Sequence, residues 1–101
     1  MMTVVTTTRL RPVGAQEWDA AMRERFDSAR GRPGWISGQL LTPADEPGTR
    51  TIVGTWRSRE DWEDWHADPA FLERRETLEQ YEAEPSRTAW FSVVADARAD
   101  G

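Results

Sequence analysis

Gly54-Thr-Trp-Arg-Ser-Arg-Glu-Asp-Trp-Glu-Asp-Trp-His-Ala-Asp-Pro-Ala-Phe71 carries a strand into a broken helix. Its first residues finish the β-branched run Arg50-Thr-Ile-Val-Gly-Thr-Trp-Arg57, which reads as a strand. Ser58 with Asp61 three positions later is a capping box in its weaker Asp form, so a helix starts there and runs through Trp62 and Trp65. Asp68-Pro69 then supplies an N-cap followed by proline at the first helical position, which restarts the helix at a changed angle. The continuation carries Phe71, Leu72, Leu78 and Tyr81 to about Glu82, with Pro85 beyond its end.

On the N-terminal side, Trp35-Ile-Ser-Gly-Gln-Leu-Leu-Thr42 reads as another strand, antiparallel to 50–57 and joined to it by the turn-rich Pro43-Ala-Asp-Glu-Pro-Gly48. Residues 16–30 follow a helical period, with Trp18, Met22, Phe26 and Ala29 on one stripe and charged residues between them. Gly31 and Pro33 end that helix in the usual order. Thr3-Val-Val-Thr-Thr-Thr-Arg-Leu-Arg11 before Pro12 reads as the first strand, and Thr88-Ala-Trp-Phe-Ser-Val-Val-Ala95 as the last. The order is β-α-β-β-α-β. It predicts one α+β domain over residues 1–101, a ferredoxin-like antiparallel sheet with its helices on one face, and a flexible tail at 96–101.

Composition removes several chemistries. Cysteine is absent, so disulfides, thiolate metal sites and cysteine nucleophiles are excluded. His66 is the only histidine, which leaves the usual zinc ligand sets short, and no metal site is expected. The net charge is −5, with thirteen arginines and no lysine, a poor electrostatic match for a nucleic-acid backbone. No apolar run approaches the roughly 20 residues of a membrane span, and Met1-Met-Thr-Val-Val5 lacks the features of a secretory signal. The expected setting is the cytoplasm, with neither nucleic acid nor membrane as partner. Six tryptophans, at 18, 35, 56, 62, 65 and 90, exceed what core filling needs and suggest a ligand cavity or a subunit interface.

The last strand bears on assembly. Trp90 and Val94 alternate with Phe91, Val93 and Ala95, so both faces are apolar. Helices on one side leave the other uncovered. A second copy of the same sheet is the economical cover, which predicts a homodimer with an isologous interface.

The Trp56-x-Ser58 strand end, the helix with Trp65 near its close, and the Asp68-Pro-Ala-Phe71 that follows resemble the signature of the antibiotic biosynthesis monooxygenase family. Gly34-Trp-Ile-Ser-Gly-Gln-Leu-Leu41, after its Pro-Gly turn, is similar to that family's second strand, and element order matches over nearly the whole chain. The resemblance implies a dimeric α+β barrel with a ligand cavity between the sheet and helices of each subunit. It also implies three kinds of relative: cofactor-free monooxygenases acting on aromatic polyketides, haem-degrading enzymes, and members without known activity. Fold alone does not choose among them.

Candidate residues follow. Gly54 and Trp56 share a strand face with Ile52, so Gly54 opens a cavity and Trp56 walls it, or else both belong to the core. Trp65 matches the tryptophan that contacts the porphyrin in haem-degrading relatives, and Trp62 lies one turn away. Those relatives ligate iron through a histidine where this chain has Arg75, and place an asparagine where it has Thr8. Arginine stays protonated and cannot replace a neutral nitrogen ligand. His66 adjoins Trp65, and successive helical side chains point about 100° apart, so His66 is expected to turn away from the cavity. The polyketide monooxygenases carry a pocket asparagine where this chain has Ile52, and asparagine is absent from the sequence.

Arg75 lies on the apolar stripe of its helix, between Phe71 and Leu78. Either it reaches in to pair with an anionic ligand, or it snorkels out to Glu79 or Glu82. The sequence thus predicts a cofactor-free monooxygenase that brings a small aromatic substrate and molecular oxygen together. Arg75 and Trp56 are its catalytic candidates, and Thr8, Gly54, Trp65, Phe71 and Tyr81 its substrate-binding ones. A non-catalytic binding and dimerisation domain is the alternative, and a haem-binding protein the remote third.

Overall fold

The structure is a computed structural model that describes residues 1–100. Strand β1 (Met2–Arg9) leads through helix α1 (Ala15–Ala29) to the hairpin of β2 (Trp35–Leu41) and β3 (Thr49–Trp56). Helices α2 (Arg59–His66) and α3 (Pro69–Glu79) follow, and β4 (Arg87–Ser92) closes the fold. The sheet order is β2-β3-β1-β4, every neighbouring pair being antiparallel. This is the ferredoxin-like α+β arrangement expected from the element order.

Both halves of the broken helix are capped as the sequence dictates. Ser58 Oγ accepts the Asp61 backbone N–H at 3.1 Å. Asp68 Oδ1 accepts that of Ala70 at 2.8 Å, with Pro69 in the first turn. Two elements stop about three residues short of their expected ends, and β1, β2 and β3 one or two. The chain leaves α3 after Glu79 because Glu82 bridges back to Leu10 and the Ala83 N–H is taken by the Arg9 carbonyl. β4 stops at Ser92 because its partner residue is Met2, beyond which β1 offers no further strand to pair with. Residues 96–100 of the expected tail belong to no helix or strand, and residue 101 lies outside the described residues.

Even-numbered residues of β1 and β3 face the helices, which sets the site. The apolar filling on that side divides into two clusters. Leu10, Trp18, Met22 and Leu78 form one, and Met2, Val4 and Trp56 the other, with Trp35, Trp62 and Trp65 packed against it. The opposite face carries Thr3, Val5, Thr7, Gln39, Val53 and Phe91, and no helix crosses it. Apolar exposure collects on and after β4, where Phe91 is 53% and Val94 97% exposed.

Candidate functional site

Residues of both apolar clusters line a cavity of about 590 Å³ between the sheet and the three helices. β1 contributes Val4, Thr6 and Thr8; β3 contributes Ile52, Gly54 and Trp56; α2 and α3 contribute Trp62, Trp65, His66, Phe71 and Arg75. A side chain at position 54 would meet only the Trp56 indole, its first carbon 3.5 Å from Nε1. The glycine therefore leaves space that a larger residue would fill. Trp56 is 2% exposed, and its Nε1–H donates to no partner among the described residues. That indole N–H is a free donor at the cavity wall.

Trp35 also lines the cavity, together with Gly38 on the same strand. Strict alternation would put residues 35 and 38 on opposite faces. A register shift between Trp35 and Ser37, at Ile36, moves Trp35 onto the helix side, where it pairs with Trp56.

The aromatic wall is continuous. Trp56 and Trp65 lie 5.4 Å apart with a 34° interplanar angle, and Trp65 meets Phe71 edge-on at 4.8 Å. His66 stands within this wall, 3.7 Å from Trp62 and 4.2 Å from Phe71, ring centroid to centroid. Its expected turn away from the cavity is thus corrected: His66 and Trp65 both reach it. The cause is local. His66 sits in the last turn of α2, and its Nδ1–H donates to the Trp62 carbonyl at 2.7 Å, drawing the ring back over the helix end. A carbonyl only accepts, so Nδ1 carries the proton and Nε2 keeps its lone pair. Burial pushes the His66 pKa down to about 4, against the opposing pull of the Trp62 carbonyl, and the charges of Arg25 and Arg75 lower it further.

The cation that enters the cavity is Arg25, on α1. Its guanidinium carbon lies 3.8 Å from the Phe71 ring centroid and 5.4 Å from that of Trp65. Among the described residues its side chain forms no ion pair and no hydrogen bond, although the Arg25 carbonyl accepts the Ser28 hydroxyl. Burial, and then the like charge of Arg75, push its pKa down to about 9, with Glu82 and Glu79 pulling the other way. It remains a cation at neutral pH. A trace of this lay in the sequence: Arg25 is seven residues after Trp18 and three after Met22, a charge on the apolar stripe of α1.

Arg75 lies at the cavity mouth, with its Nε donating to Glu79 at 2.8 Å and its side chain 56% exposed. Of its two readings, the outward pairing with Glu79 is the one present. Thr8 is buried and its hydroxyl bonds that of Ser86 at 2.7 Å. Glu82 accepts the Trp18 indole N–H at 3.1 Å and the Ser86 hydroxyl at 3.2 Å, so its carboxylate is anchored. Tyr81 does not line the cavity: its ring packs on Gly14, which takes a φ of 106° at the start of α1. Among the described residues no group of three or more His, Cys, Asp or Glu converges to hold a metal ion. Nor is any helix there long and apolar enough to cross a membrane.

The sequence profile named Antibiotic biosynthesis monooxygenase matches residues 1–77. The chain belongs to this family. Among solved structures, a protein of Nitrosomonas europaea assigned to the same family superposes with a TM-score of 0.86 at 18% identity, over 94% of this chain and 100% of that one. Rv0793 from Mycobacterium tuberculosis gives 0.85 at 20% identity over 96% and 98%. SnoaB of Streptomyces nogalater, a cofactor-independent oxygenase, gives 0.83 at 18% identity over 94% of each chain. At such identities the likeness concerns the fold. No curated protein matches the sequence.

Proposed function

We propose that this family member is a cofactor-independent monooxygenase for a flat, hydroxylated aromatic of polyketide type, bound in the tryptophan-walled cavity. The observation that carries the proposal is the continuous wall of Trp56, Trp65, Phe71 and Trp62 around an open volume of about 590 Å³, a shape and chemistry suited to a polycycle. Membership in the family and the shared fold with SnoaB support the reaction class.

Such a substrate supplies its own electrons. Its enolate passes one electron to oxygen, and the resulting radicals combine into a peroxide. Loss of water then leaves a carbonyl where a CH₂ group stood. One oxygen atom stays in the product, the other leaves as water, and no external reductant enters. The protein's part is to hold the enolate dry and to stabilise its charge. In this proposal Trp56 donates its indole N–H to the enolate oxygen, Trp65 and Phe71 wall the ring, and Thr8 lines the floor. Gly54 leaves room for the ring, and Arg75 with Glu79 frames the entrance. Tyr81 supports α1 from behind. The unit we infer is a homodimer that covers the open sheet face.

Oxygen consumption with a hydroxyanthrone, without added cofactor, tests this reading. A rate well above buffer is expected, and Gly54→Leu should reduce it at least tenfold by filling the cavity while leaving the fold intact. Ile52 on the wall, in a chain without asparagine, favours a second reading, a binder without turnover. Saturable binding of the same compound with no oxygen uptake would select it.

A further inference from the structure

We propose that Arg25 and His66 form an anion-selective subsite at the Phe71 end of the cavity, which makes the preferred ligand an aromatic hydroxy acid, or its enolate equivalent, rather than a neutral polycycle. The proposal rests on the aromatic-cavity reading and adds the charge of what enters.

Phe71 is the common neighbour of both groups: the Arg25 guanidinium carbon is 3.8 Å, and the His66 ring centroid 4.2 Å, from its centroid. Of the other charged side chains on the cavity, only the Glu84 carboxylate forms no bond among the described residues. Arg75 is bonded to Glu79, Arg11 to the Glu82 carbonyl, and Glu82 to Trp18 and Ser86. Arg25 alone brings a cation with five N–H groups and no oxygen to receive them among the described residues. Those nitrogens are not sealed away, because the one buried side-chain nitrogen or oxygen without a partner there is Arg32 Nε. A guanidinium held among aromatic rings has lost much of its hydration, so an incoming carboxylate or enolate regains there what burial removed.

His66 refines the choice. Its Nδ1–H is spent on the Trp62 carbonyl, so Nε2 presents a lone pair and no proton. A bare carboxylate oxygen gains nothing from that lone pair, whereas a ring hydroxyl too far from the anionic group to bond it donates to Nε2. Cation and acceptor together therefore describe an anionic oxygen and a separate hydroxyl on one flat ring.

Calorimetric titration of the full chain with three compounds tests the subsite: hydroxynaphthoate, the corresponding hydroxynaphthamide and naphthoate. The acid-to-amide ratio needs no variant. It is expected at about ten- to a hundredfold in favour of hydroxynaphthoate, the range for a hydrogen bond to a charged group. Arg25→Gln should bring the ratio close to one, and Arg25→Lys should keep part of it. His66→Phe should erase the preference for hydroxynaphthoate over naphthoate while the acid-to-amide ratio persists. Equal binding of acid and amide by the unaltered chain overturns the proposal and leaves the aromatic cavity standing. A ratio unchanged in a folded Arg25→Gln protein also overturns it. If none of the three binds at millimolar concentration, the aromatic-cavity reading fails and the subsite fails with it.

Discussion

Burial inside a ring of aromatics keeps the His66 imidazole neutral, and that has a measurable cost in acid. Its pKa falls from an ordinary 6.5 to about 4 in the folded chain. Below about pH 6.5 the unfolded chain takes up a proton that the folded chain refuses, so the residue destabilises the fold progressively as the pH drops toward 4, and its effect levels off below that. The loss is on the order of 3 kcal/mol at most, from 1.36 kcal/mol per pK unit. Urea unfolding across this range should show His66→Phe losing less stability than the parent between pH 6.5 and pH 4.5. Parallel curves for the two proteins would refute the buried neutral state. Residues of this kind are the least legible in sequence. Trp56, Trp65 and Phe71 could be placed on the cavity from periodicity and resemblance, because large apolar side chains follow the stripe they sit on. Arg25 and His66 could not: one is a charge whose stem follows an apolar stripe, the other a ring turned by a single backbone hydrogen bond.

The joint between α2 and α3 shows what capping chemistry does for a whole element. Asp68 serves twice, accepting the Ala70 N–H and pairing with Arg32 at 3.2 Å from the segment before β2. Asp68→Ala removes both and leaves Arg32, whose Nε already lacks a partner, with no carboxylate. A loss of about 1–3 kcal/mol is expected in urea unfolding, from the cap and the charged hydrogen bond together. Asp68→Asn should recover most of the cap and little of the pairing. This break was plain in the sequence because Asp-Pro dictates it locally. The register shift at Ile36 was not: nothing in Trp35-Ile36-Ser37-Gly38 marks an extra residue, and pairing with β3 alone reveals it. Strand ends escaped for the same reason, since β4 ends where its partner begins.

At the scale of the molecule, the helices cover one side of the sheet and leave Val5, Val53, Ala89 and Phe91 on the other. Threonines at positions 3, 7, 51 and 55 share that face, and Thr3 bonds Thr55 at 3.0 Å, so it is mixed rather than wholly apolar. Sedimentation at micromolar concentration should give twice the chain mass, and Phe91→Glu should shift it to the monomer without loss of helix signal. A monomeric parent would remove the homodimer from the proposed function and leave the cavity untouched, because every residue described on it belongs to one chain. Element order and the two-layer architecture were legible from alternation, helical period and caps. The open face was legible only as a shortage of covering elements.

The Trp56 and Trp65 indoles, 5.4 Å apart and tilted by 34°, are close enough to share electronic excitation. Their coupled transitions should overlay the helix bands in far-ultraviolet circular dichroism, so a helix content taken from that spectrum alone would be distorted. A planar guest stacking on either ring would perturb the couplet. Occupancy of this protein can then be followed optically, without label or turnover.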